Sequence, residues 1–173
     1  MGTFLDKISK ECLGLINNAD LIDRGQHFSV MVDYAHTPNG ISNLLDFVQL
    51  IEHKRIIVVI GQAGERDAYK RKTVGKIVAT KADLAVFCYE DPRSEDPKDI
   101  IDMMCEEIRD RDNYKVIIDR AEAIKYAIDE ANDGDIVLIL GKGNETYQKL
   151  KTGKIYFNDE EEAIKSLDDR LSK

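Results

Sequence analysis

The chain of 173 residues contains no tryptophan, only three cysteines and three prolines, and no long apolar run. Each shortage excludes something. Cys12, Cys88 and Cys105 show neither a Cys-x-x-Cys pair nor zinc-ligand spacing, and an odd number makes a poor disulfide framework. No metal site is therefore expected, and a reducing cytoplasm is the natural compartment. No stretch approaches the roughly 20 apolar residues of a membrane helix, and no basic region followed by an apolar segment opens the chain, so neither membrane association nor secretion is expected. Basic residues are outnumbered 25 to 33, giving a formal charge of −8 and a pI near 5.0. A nucleic acid or an anionic membrane is a poor partner for that balance. The chain also has no Gly-x-x-x-x-Gly-Lys-Ser/Thr cradle for a nucleoside triphosphate. Gly141-Lys142-Gly143 fails as a dinucleotide fingerprint, because Thr146 stands where the third glycine would be.

What is present is a regular alternation. Short β-branched runs occur at 28–32, 55–60, 84–88, 115–118 and 136–140, with helical spacing over 40–53, 69–80, 97–112 and 120–132 between them. Strands separated by helix-length segments predict βαβ units. The expected fold is α/β, Rossmann-like, with a mostly parallel sheet of about six strands flanked by helices. Residues 155–157 are expected to add an edge strand, 159–171 a charged terminal helix, and the segment after Gly143 a further helix. Phe4, Leu5, Ile8, Leu13 and Ile16 predict an amphipathic helix within a lead-in of residues 1–27. Residues 28–173 then form the main domain, and 43% hydrophobic content suits one core of that size.

In open α/β sheets ligands bind beyond the carboxyl ends of the strands. By spacing, Asp33 and His36 follow the first of these runs, Arg66 the second, Asp91 and Arg93 the third, and Gly141 to Glu145 the fifth. Taken singly, Asp33 reads equally well as a turn residue and His36 as a satisfied loop histidine. Their joint placement at one sheet edge points instead to a polar ligand site. The glycines at 141 and 143 permit close approach of backbone to that ligand. Lys70, Arg71 and Lys72 read either as a solvated first helical turn or as a cluster that neutralises phosphate.

The four segments run Met31-Val32-Asp33-Tyr34-Ala35-His36-Thr37-Pro38, Gly64-Glu65-Arg66-Asp67 with Lys70-Arg71, Asp91-Pro92-Arg93-Ser94-Glu95-Asp96-Pro97, and Gly141-Lys142-Gly143-Asn144-Glu145-Thr146-Tyr147-Gln148. In that order they resemble the C-terminal domain of the Mur ligases, and within that family the members that add a diamino acid. The resemblance spans residues 28 to 165. It implies an ATP-dependent, peptide-bond-forming ligase of peptidoglycan precursor synthesis, in which ATP activates the carboxylate of a UDP-muramoyl dipeptide and the amine of a diamino acid attacks the acyl phosphate. ATP and Mg²⁺ would be cofactors of the full ligase. They and the UDP-muramoyl peptide would be held by N-terminal and central domains, so this chain alone is expected to bind no nucleotide and to be inactive.

By the same resemblance, Arg66 meets the incoming amino acid's carboxylate and Arg93 the distal carboxylate of meso-diaminopimelate. Asp91, Gly141 and Glu145 surround its distal ammonium, while Asp33 and His36 face ATP. No residue is assigned a certain catalytic role. Glu90-Asp91-Pro92-Arg93 stands where the family has Asp-Asn-Pro-Arg, Asn144 replaces a histidine, and Asn39 and Glu65 replace aspartates. These departures keep a second expectation open, a stand-alone non-catalytic binding or regulatory module built on the same domain. A generic doubly wound ligand-binding domain is the third.

Overall fold

The computed structural model describes residues 19–173, so the helix expected within residues 4–17 lies outside the described residues. Six strands form the main sheet: β1 Ala19–Ile22, β2 Ser29–Asp33, β3 Ile56–Ile60, β4 Leu84–Phe87, β5 Tyr114–Val116 and β6 Ile136–Leu140. Their spatial order is β1-β2-β6-β3-β4-β5. Every pairing is parallel except β1 on β2, which is antiparallel. β1 lies within the expected lead-in of residues 1–27. Its Ala-Asp-Leu-Ile has a single β-branched residue and so gives no strand signal without its partner.

β2, β3 and β6 are buried at every position. Such continuous apolar runs arise because both faces of a parallel sheet are covered. Side chains alternate between two cores. Ile56, Val58 and Ile60 face α1 Pro38–Val48, α2 Tyr69–Lys81 and α3 Pro97–Met104, whereas Ile57 and Val59 face α4 Arg120–Glu130 and α5 Asp159–Leu171.

Local chemistry sets where the helices begin. Thr37, Asp96, Asp119 and Asn158 each accept a hydrogen bond from a first-turn amide at 2.8–3.1 Å. Pro38 and Pro97 occupy first-turn positions where a missing amide hydrogen costs little.

Two helices stop short of the expected ends. The buried stripe Ile41, Leu45, Val48 of α1 would next fall on Glu52, and the chain turns at Gln49 instead of running to His53. α3 ends at Met104 rather than Asp112. Beyond it the chain bends so that Asn113 can donate to the carbonyls of Ala79 and Ala82 at the end of α2 and lead into β5. No helix starts directly after Gly143. A turn from Lys142 to Glu145 leads instead into β7 Tyr147–Leu150, which pairs antiparallel with β8 Gly153–Tyr156 as a separate hairpin. The strand expected at 155–157 is the second arm of this hairpin, so it is no edge of the main sheet. Among the described residues no helix is long and apolar enough to cross a membrane.

Candidate functional site

The loops after β2, β3, β4 and β6 converge at the carboxyl edge of the sheet, and glycine lets two of them touch. A Cβ on Gly64 would lie 2.0 Å from the carbonyl oxygen of Pro92, and the Gly64 amide donates to Asp91 O at 2.9 Å. Arg71 then locks the two loops. It is fully buried, forms a two-pronged pair with Glu95 at 2.7 and 2.9 Å, and donates to Ala63 O at 3.2 Å. Glu95 also accepts from the Glu65 amide, and Glu65 accepts from Ser94. Glu65 and Arg93 have φ of 55° and 56°, the left-handed region that non-glycine residues seldom enter. Both are held there by these contacts and by the bond from Arg93 N to Lys149 O at 2.9 Å. Strain of this kind concentrates at ligand sites.

The loops enclose a cavity of about 420 Å³. Its walls carry both signs of charge: Arg66, Lys70, Arg93 and Lys149 against Glu90, Asp91 and Glu145. Lys142 joins the last two carboxylates from behind. Its side chain is 0% exposed, with Nζ 2.9 Å from Asp91 Oδ1 and 2.8 Å from Glu145 Oε2. Burial works against this ammonium, but its bonds to Glu145 and Asp91 more than offset that and hold its pKa above the ordinary lysine value. Glu90 is different. Burial pushes its carboxyl up to about 7 against the pull of Arg120 and Lys142, and Asp91 and Glu145 push the same way. Arg120, itself fully buried, pairs with Asp159 at 2.6 and 2.7 Å and donates to Leu140 O at 2.9 Å, just before Gly141.

Residues 19–143 match the protein family described as Mur ligase, glutamate ligase domain. The chain belongs to the Mur ligase family. It is 42% identical over 152 residues to a UDP-N-acetylmuramoyl-L-alanyl-D-glutamate--2,6-diaminopimelate ligase from Geobacillus kaustophilus, covering 87% of this chain and 31% of that protein. The protein of the same name from Nostoc sp. is 48% identical over 149 residues, covering 86% and 30%. A solved structure of a ligase of this name superposes with a TM-score of 0.84 at 32% identity, covering 89% of this chain and 32% of the other. The Mur ligase domain described here thus spans about a third of the length of the relatives it matches.

Within this Mur ligase domain, Arg66, Asp91, Arg93, Gly141, Glu145 and His36 share the one cavity. Asp33 does not line it. Its carboxylate turns back to accept from the Ala35 amide at 2.6 Å, and burial raises its pKa while that bond lowers it. His36 stacks edge-on against Tyr34 at 4.8 Å, with Nδ1 3.0 Å from Tyr34 O. The basic run after Arg66 divides in three: Lys70 lines the cavity, Arg71 is the internal lock, and Lys72 lies 3.7 Å from Glu107. Gln62, Tyr147 and Lys149 also line the cavity, and sequence reasoning singled out none of them as a ligand contact. Tyr147 and Lys149 belong to the hairpin that replaced the expected helix. The alternation of Tyr147 and Lys149 on one face of β7 was the available signal.

Proposed function

We propose that this chain is the amino-acid-binding C-terminal domain of an ATP-dependent ligase of peptidoglycan precursor synthesis, and that it takes a diamino acid with two carboxylates, meso-diaminopimelate. The observation that carries the reading is the cavity's charge pattern. Arginines from separate loops, Arg66 and Arg93, flank a carboxylate cluster of buried Glu90 and Asp91 and half-buried Glu145, which complements a molecule bearing both signs at both ends. The planar fork of arginine suits each carboxylate, and Asp91, Glu145 and Gly141 suit the distal ammonium. Holding the amino acid at both ends would present its reacting amine in a fixed direction, and orientation of this kind lowers a barrier by several kcal/mol.

Mg-ATP does not fit the residues present. Among the described residues no three His, Cys, Asp or Glu side chains converge on a metal-sized site, and the sequence has no triphosphate cradle. In this proposal ATP, Mg²⁺ and the UDP-muramoyl peptide are held by other domains of a full ligase, with Asp33 and His36 at the nucleotide side.

Steady-state kinetics of a full ligase carrying this domain test the proposal. kcat/KM should favour diaminopimelate over lysine. Arg93→Ala should remove most of that preference, since a charged hydrogen bond is worth roughly 1.5–3 kcal/mol, or about ten- to more than hundredfold. A wild-type preference for lysine contradicts the proposal.

A further inference from the structure

Asp91 and Glu145 already share an internal cation, Lys142, so the anionic side of the cavity is partly neutralised before a ligand arrives. The cationic side is less so, with Glu65 felt by Arg93 only from beyond ion-pair distance. Arg66, Lys70, Arg93 and Lys149 line the cavity, and no carboxylate among the described residues lies within ion-pair distance of any of them. Arg93 Nε is buried with no hydrogen-bond partner at all. A buried guanidinium nitrogen left unsatisfied is costly.

Lys149 is tied to the same place through its backbone. Its carbonyl accepts from Arg93 N at 2.9 Å, and its amide donates to Asp91 Oδ1 at 3.2 Å. The hairpin strand β7 is thereby stitched in register to the loop that carries Arg93. The Lys149 ammonium lies 5.4 Å from the Tyr147 ring centroid, and the ammoniums of Lys154 and Lys142 lie 4.4 and 5.5 Å from the same ring. Tyr147 holds these like charges close together by attraction to its face. Lys142 is balanced by Asp91 and Glu145, whereas Lys149 and Lys154 have no carboxylate within ion-pair distance among the described residues, so an added anion is favourable at this wall.

We infer that Lys149 is a specificity-determining residue, a second cation that shares the distal carboxylate of the bound amino acid with Arg93. The inference rests on the function proposed above and names a residue that the family motifs do not mark. It makes the hairpin, and not only the Arg93 loop, the part of the domain that distinguishes an amino acid with a distal carboxylate from one without.

Isothermal titration of the chain with meso-diaminopimelate and with lysine is the test, using Lys149→Met, Lys149→Arg and Arg93→Ala. Methionine keeps the stem against Tyr147 and removes only the charge. Lys149→Met should weaken diaminopimelate about fivefold and lysine less than twofold, the scale of a partly exposed ion pair. Lys149→Arg should restore the difference. Unchanged diaminopimelate binding in Lys149→Met, or equal weakening of both ligands, overturns the role of Lys149 and leaves the proposed function standing if Arg93→Ala still weakens diaminopimelate. A wild-type chain that binds neither amino acid overturns both.

Discussion

At Lys142 an ammonium fully out of water is held by Asp91 and Glu145, and the pair of carboxylates cannot be added up as two free negative charges. Removing the lysine leaves both carboxylates facing each other around an empty centre. Lys142→Met should cost about 3–5 kcal/mol, the usual penalty for breaking a buried pair by deleting one partner. Urea denaturation would show it as a lower midpoint with an unchanged slope. Glu90 gives a pH-dependent counterpart. Its folded pKa of about 7 lies above the ordinary value of 4.5, so the folded state keeps a proton that the unfolded chain has released. Stability contributed by this group is present below about pH 4.5 and is lost as pH rises through 7, by up to about 3 kcal/mol. Glu90→Gln should flatten the stability curve between those limits. A melting-temperature series over that range in both proteins measures it, and an unchanged slope in the variant excludes Glu90 as its source. At this scale the sequence revealed residue types and left their partners hidden. Asp91, Arg93 and Glu145 stand in recognisable motifs, but Lys149 and the Arg71–Glu95 lock depend on contacts between segments that spacing does not encode.

Elements are positioned by close backbone approach. α2 meets α3 at Gly75, where a Cβ would lie 1.8 Å from the carbonyl oxygen of Met104. Backbone cannot yield as a flexible side chain does, so Gly75→Ala should destabilise by about 1–3 kcal/mol through overpacking. Because Arg71 extends from the same helix to Glu95, a shift of α2 also loosens the loops of Arg66 and Arg93. Hydrogen exchange should show faster exchange at the Gly64 amide in the variant than in the wild type. Unchanged stability and exchange would mean that the two helices separate without strain. β2, β3, β4 and β6 were legible because burial on both faces writes them as unbroken apolar runs, whereas the largely exposed edge strand β5 showed only through the β-branched residues from Val116 to Ile118. Helix ends were less legible, since α1 and α3 stop where the next element must be delivered to the sheet. The first arm of the β7–β8 hairpin escaped because Tyr147 to Leu150 is too brief a mix of polar and apolar side chains to mark a strand, while the second arm was expected but as an edge of the main sheet. β1 escaped because Ala19-Asp20-Leu21-Ile22 has no β-branched run, with Ile22 its one β-branched residue.

Over the whole molecule, inserting β6 between β2 and β3 brings the fourth motif beside the first three. Segments more than a hundred residues apart in the chain, around His36 and Glu145, then share one cavity. The acidic balance of −8 does not describe this site, where four cations, Arg66, Lys70, Arg93 and Lys149, come together from three segments of the chain. The proposed function requires that the amino acid bind there. The most direct measurement is a ¹⁵N-resolved NMR titration of the chain with meso-diaminopimelate. Amide shifts should concentrate at Gly64 to Arg66, Asp91 and Arg93, and Gly141 to Lys149, with β5 at the far edge of the sheet silent. Shifts confined to other parts of the surface, or none at millimolar ligand, would contradict it.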